Sequence, residues 1–133
     1  MVVVDADLAQ LAHAWKVDAH VLAIKTNLSD GDAIGLHGRT VTVGAAGFST
    51  PWHGTCEEAN RERRARQLAE ITAEADLSQS NAAAVKGFGL LDPVVEYRLS
   101  CKDFRTRVPA LTIFVGGTTA MTCFGGACYM LKR

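Results

Sequence analysis

Apolar residues first recur at helical spacing along this chain, then abruptly at every second position. Leu8, Leu11, Ala12 and Trp15 stand three or four apart, which predicts a short helix over residues 7–15 with Asp5 or Asp7 as its cap. From Trp15 the period becomes two. Trp15, Val17, Ala19, Val21 and Ala23 share one face, and Lys16, Asp18 and His20 share the other, as in a half-buried strand. Residues 27–31 (Asn-Leu-Ser-Asp-Gly) read as a turn. Residues 34–43 are strand-like, with Gly38 at a bulge or tight bend, and residues 44–51 form a loop.

The clearest helical signal covers residues 55–75. Thr55 and Glu58 stand at capping-box spacing, and residues 57–75 contain no Gly or Pro. Ala65, Leu68, Ile71 and Ala75 make a narrow apolar stripe, and Glu57–Arg61 and Glu62–Arg66 are i,i+4 pairs. Residues 78–81 end this region. The last third reads as antiparallel sheet. Val95, Tyr97, Leu99 and Cys101 alternate with Glu96, Arg98 and Ser100, so the first set belongs to the core while Glu96 and Arg98 reach solvent. Three short strands follow over residues 110–115, 118–124 and 127–131, with Gly116-Gly117 and Gly125-Gly126 as two-residue turns. Pairing through Gly125-Gly126 sets Cys123 opposite Cys128 and Met121 opposite Met130. That cysteine pair is non-hydrogen-bonded, close enough for a disulfide. By elimination Cys56 pairs with Cys101, tying the start of the long helix to the apolar face of a strand. The expected fold is therefore mostly β, a curled or closed antiparallel sheet or barrel with one long amphipathic helix packed on it.

Composition narrows the class. At 133 residues one domain, 1–133, is expected, long enough to bury a core. Hydrophobic residues at 48% and charged residues at 21% exclude disorder. Basic and acidic residues balance at 14 each, which removes the electrostatic argument for nucleic acid or an anionic membrane surface. No apolar run approaches the roughly 18 residues of a membrane-spanning helix. The start, Met1-Val2-Val3-Val4-Asp5, lacks signal-peptide features. The chain is thus either cytoplasmic or a mature exported form with a replaced start. An even number of cysteines in a small domain favours disulfides and a periplasmic or secreted location.

Candidate chemistry is sparse. Met121, Cys123, Cys128 and Met130 would present four sulfurs on one hairpin face, a set suited to Cu(I) if the cysteines stay reduced. The competing reading is an apolar methionine patch beside a disulfide. Cys56 at the start of a helix could be a nucleophile, with His37 or His53 as its base. Glu57 and Glu58 oppose that thiolate, and a disulfide removes it. The histidines at 13, 20, 37 and 53 show no metal spacing. The arginines at 61, 63, 64 and 66 are interleaved with glutamates and read as a solvated face. Residues 44–47 lack the Lys-Ser/Thr of a phosphate loop. Trp15, Phe48, Trp52 and Phe88 are the aromatic candidates for a ligand pocket.

The short N-terminal helix leading to Trp15 at the head of the first strand, the antiparallel strands that follow and the closing Tyr129-Met130-Leu131-Lys132-Arg133 resemble secreted lipocalin-like small barrels. In that family a Gly-x-Trp opens the first strand, and a late basic residue packs on the Trp. Here His13 stands in place of the Gly, and the long helix falls mid-chain. The resemblance implies binding rather than catalysis. The first-ranked function is an exported, non-enzymatic binding module for a small apolar ligand or a protein partner, inhibitor- or immunity-like, with no cofactor. A small thiol hydrolase using Cys56 and a soft-metal binder at the C-terminal hairpin are the alternatives.

Overall fold

A computed structural model describes residues 6–102 and 110–133. Nine strands form one antiparallel sheet in the order β4-β3-β2-β1-β9-β8-β7-β6-β5. They are β1 (Ala14–Leu22), β2 (Thr40–Val43), β3 (Phe48–Thr50), β4 (Gly54–Cys56), β5 (Ala59–Arg66), β6 (Val94–Cys101), β7 (Leu111–Gly116), β8 (Thr119–Phe124) and β9 (Ala127–Lys132). Among the described residues four helices accompany them: α1 (Ala6–Leu11), α2 (Asp30–Ile34), α3 (Leu68–Glu74) and α4 (Gln79–Phe88).

Sheet neighbours are antiparallel throughout, so β4 and β5, at the two ends of the order, run in the same direction. Only Glu57 and Glu58 separate them in the chain. They are two halves of one kinked strand, whose first half pairs with β3 and whose second half pairs with β6. Counted by direction, the sheet is an eight-stranded up-and-down meander curled into a nearly closed barrel. At the seam the amide of Lys102 donates to Glu58 O (2.8 Å) and that of Ala59 donates to Ala46 O (2.8 Å). The Cys56–Cys101 disulfide joins β4 to β6 across the kink, with Cα atoms 5.7 Å apart.

The kink needs space. A Cβ placed on Gly47 would collide with the backbone oxygens of Cys56 and Glu57, the latter at 2.6 Å. Gly44, in the same loop, would meet nothing closer than 3.7 Å. Gly47→Ala should therefore destabilise by about 1–3 kcal/mol, as overpacking against rigid backbone does. Gly44→Ala should have a much smaller effect. Equal shifts of the two variants in thermal unfolding would refute this role for Gly47.

The sheet buries both faces. Trp15, Val17, Val41, Val43, Phe48, Cys56, Val95, Tyr97, Leu99, Ile113, Val115, Ala120, Tyr129 and Leu131 fill the barrel interior, joined by Leu11 from α1 and Ala33 from α2. Trp15 and Tyr97 are fully buried. Trp15 Nε1 donates to Leu11 O at 2.9 Å, and the Arg133 guanidinium lies 6.0 Å from the Trp15 ring centre. On the outer face Val21, Val94, Phe114, Met121, Cys128 and Met130 pack under α3 and α4 through Leu68, Ile71 and Val85.

Several sequence expectations need correction. The long helix over 55–75 does not exist as one element; residues 54–56 and 59–66 are strand and only Leu68–Glu74 is helical. Arginine and glutamate tolerate a helix, but β6 needs an edge partner, and this tertiary demand overrides weak helix propensity. The resulting edge strand is charged along most of its length, which guards it against further pairing. A second helix, α4, was not expected. Ser78 caps it through the Asn81 amide, and Gly89 ends it in a left-handed conformation at φ 111°. The turn between β7 and β8 is Gly117-Thr118 rather than Gly116-Gly117, because Gly116 already pairs with Thr119.

Glu96 also departs from expectation: it is buried, while Arg98 is exposed as the alternation predicts. Arg64 and Arg66 of β5 reach it at 3.1 and 2.8 Å, and Arg66 also reaches Glu74 of α3 at 2.6 Å. A buried carboxylate survives only with such partners. The hydrogen bond to Glu74 raises the Arg66 pKa against the opposing effect of burial, and the same bond holds the Glu74 carboxyl below its ordinary range.

Strand β1 carries a bulge at Asp18. Val17 pairs with Leu131, and Ala19 with the next residue, Met130. One extra residue inverts the alternation. Trp15 and Val17 point into the barrel, but Ala19 and Val21 point outward under the helices. The single apolar face expected for 15–23 is therefore two half-faces, and His20 turns inward beside Tyr129.

Candidate functional site

Two places collect chemically useful groups. The first is a cleft of about 290 Å³ between α3 and α4, on the outer layer. Leu68, Ala69 and Thr72 line it from α3, Ala82, Ala83 and Lys86 from α4, and Leu90, Leu91 and Asp92 from the segment that follows. The Gln67 side chain makes no bond at the start of α3; instead Asp92 Oδ1 accepts from the Leu68 amide at 2.7 Å. That bond pins the cleft's acidic group while Lys86, in the last turn of α4, supplies a cation. Leu68 and Leu90 form a buried floor, and Leu91 is 57% exposed at the rim. An apolar floor with two opposite charges suits a short apolar group bearing a polar end.

The second place is the end of the barrel covered by α2. Ser29 and Asp32 form a reciprocal capping box that fixes the first turn of α2. Ala33 is fully buried against the barrel interior. Trp52 stacks on Phe124 with ring centres 4.4 Å apart, and Phe124 packs on Tyr129 at 5.0 Å. Burial, then the nearby Asp32 charge, pushes the Tyr129 phenol above its usual value. His20 Nε2 lies 2.8 Å from Asp30 Oδ1, and His20 Nδ1 lies 2.8 Å from His37 Nε2. Among the described residues no group of three or more His, Cys, Asp or Glu side chains forms a metal site.

No family model, curated protein or solved structure matches this chain.

The sequence-nominated aromatics do not form one pocket. Trp15 and Phe48 are packed into the barrel interior, at 0% and 3% exposure. Trp52 belongs to the aromatic stack at the α2 end. Phe88, at the C-terminus of α4, lies in the outer layer with the Lys132 ammonium 5.0 Å from its ring centre.

The surroundings of Cys56 do not support the thiol-hydrolase alternative. Cys56 lies in a strand rather than at a helix N-terminus, and its sulfur is bonded to Cys101. His37 bonds His20, and His53 packs beside Trp52 and Phe124. The soft-metal alternative lacks support for a similar reason. Cys123 is bonded to Cys128, so neither offers a thiolate, and Met121 and Met130 are sealed beneath the helices.

Sequence reasoning missed both the cleft and the His20–His37 pair. The cleft was readable in part, since Ser78 and Gly89 bracket an alanine-rich run as helix start and stop signals. The histidines, 17 positions apart, gave no signal.

Proposed function

We propose that this protein is an exported, non-enzymatic binding module that takes a short apolar group in the α3–α4 cleft. The group belongs to a small apolar molecule or to an apolar side chain of a protein partner. The observation that carries this reading is the cleft itself: a buried leucine floor, an exposed Leu91 at the rim, and Lys86 and Asp92 as orienting charges. Its volume lies just below the roughly 300–1,000 Å³ typical of small-molecule sites, so it fits one ring or a short chain. A barrel interior filled by Trp15, Tyr97 and Phe48 favours this outer site over one inside the sheet.

Export is supported by two disulfides, which persist in oxidising compartments. Among the described residues no helix is long and apolar enough to cross a membrane. The lipocalin-like part of the reading rests on the meander order and on Arg133 over Trp15.

Titration with an anionic naphthalene dye tests the site. The dye should gain fluorescence on the native protein, and Ala83→Arg, which fills the cleft, should weaken binding at least tenfold with unchanged far-ultraviolet circular dichroism. Undiminished dye binding by that variant would place the apolar site elsewhere.

A further inference from the structure

We propose that His20 and His37 bind a divalent transition-metal ion, with Cu(II) preferred. The two imidazoles come together through backbone features that are themselves fixed. The bulge at Asp18 turns His20 to the inner face of β1. His37 follows α2 in a turn closed by its own amide to Ile34 O (2.9 Å). The next residues are pinned to β1, since Gly38 N donates to Val17 O and Val17 N donates to Arg39 O, both at 2.8 Å. The capping box holds Asp30 in the first turn of the same helix.

Asp30 defines which nitrogen of His20 is available. A carboxylate only accepts, so the Nε2 that lies 2.8 Å from Asp30 Oδ1 carries the proton. The Nδ1 lone pair is then directed at His37. This is the second-shell arrangement that orients metal-ligating histidines: one ring nitrogen donates to a carboxylate and the other faces the ion. Without metal, His37 donates Nε2–H to that lone pair. Moving the His37 proton from Nε2 to Nδ1, on an exposed ring, leaves a lone pair on each of two nitrogens 2.8 Å apart. No proton is lost from the neutral pair.

Ligand chemistry selects the metal. His20 is held by Asp30 with its Nδ1 lone pair aimed at His37, so the exposed His37 ring swings aside until both lone pairs converge on one ion. Affinity of such nitrogen ligands rises along the divalent first-row metals to Cu(II) and falls at Zn(II). Imidazole suits Cu(II), and all four cysteines are held in disulfides, so no thiolate competes for the ion. Among the described residues no third His, Cys, Asp or Glu completes the set, which leaves the remaining coordination positions to water or an incoming donor.

Calorimetry and electron paramagnetic resonance with CuCl₂ and ZnCl₂ on the intact protein test the site. One Cu(II) per chain is expected, with hyperfine coupling from two imidazole nitrogens and weaker Zn(II) binding. His37→Ala changes an exposed residue, so it decides the question even if His20→Ala fails to fold. It should weaken Cu(II) binding at least thirtyfold. Asp30→Ala should weaken it about 10–100-fold through loss of the orienting carboxylate. His13→Ala and His53→Ala should have no effect. Unchanged Cu(II) affinity in His37→Ala, or no Cu(II) binding tighter than about 1 mM, would overturn the proposal.

Discussion

Trp15→Ala should lower unfolding stability by about 3–5 kcal/mol, the cost of emptying a large buried aromatic position. Trp15 is fully buried where α1 meets the barrel, so its removal opens a void bounded by both elements. Three further contacts go with it: the bond to Leu11 O that ties α1 to β1, the Arg133 guanidinium over the ring, and the edge contact with His13 at 5.5 Å. Trp15→Phe keeps much of the volume and loses the indole donor, so it should cost clearly less. Urea unfolding followed by circular dichroism measures both. A loss under about 1 kcal/mol in Trp15→Ala, with an unchanged denaturant slope, would mean that the barrel interior collapses around the gap and that Trp15 is not its keystone.

Replacing both Cys56 and Cys101 with alanine should cost roughly 4 kcal/mol, because the bond closes a loop of 45 residues in the unfolded chain. The Cys123–Cys128 bond closes only 5 positions, and its double-alanine variant should lose roughly half as much. Location adds to the contrast. The first bond holds the seam where the kinked strand leaves β3 for β6, while the second lies between strands already joined by their own ladder. Calorimetric melting of the two double variants gives the order directly. Equal losses, or a larger loss at 123/128, would show that the seam holds without its covalent link.

The C-terminal hairpin was legible because its determinants are local. Gly125 and Gly126 both adopt positive φ, at 62° and 88°, as a two-residue turn of this kind requires, and the turn fixes every pair from Phe124–Ala127 outward. Both disulfides followed from that one register. Residues 59–66 were misread because arginine, glutamate and alanine carry no strong strand preference; only the unpaired edge of β6 makes them a strand, and no local window contains β6. The bulge at Asp18 is equally silent, since the inversion appears only in the pairing with β9. That silence hid the histidine pair: with an unbroken alternation His20 would face away from the barrel interior. Alternation alone assigns Glu96 to solvent, and its arginine partners lie 30 and 32 positions away.

The pairing of β1 with β9 has a consequence for how the chain reaches this state. Lys16 and Lys132 are register partners, 116 positions apart, whereas the hairpins β2–β3 and β8–β9 close over a few residues. Contacts of such separation form late and slow the folding of β-rich chains. As the chain emerges from a ribosome or a translocation pore, β1 arrives early and waits. Its Trp15 and Val17 side chains stay exposed, and one strand edge stays open, until β9 is out. The Cys56–Cys101 link joins segments that both emerge before β9, so an oxidising enzyme can set the seam while the opposite flank is still open. The interval between that cross-link and the arrival of β9 is when this protein is most exposed to aggregation, and when a chaperone that holds hydrophobic strands would have the greatest effect on its yield.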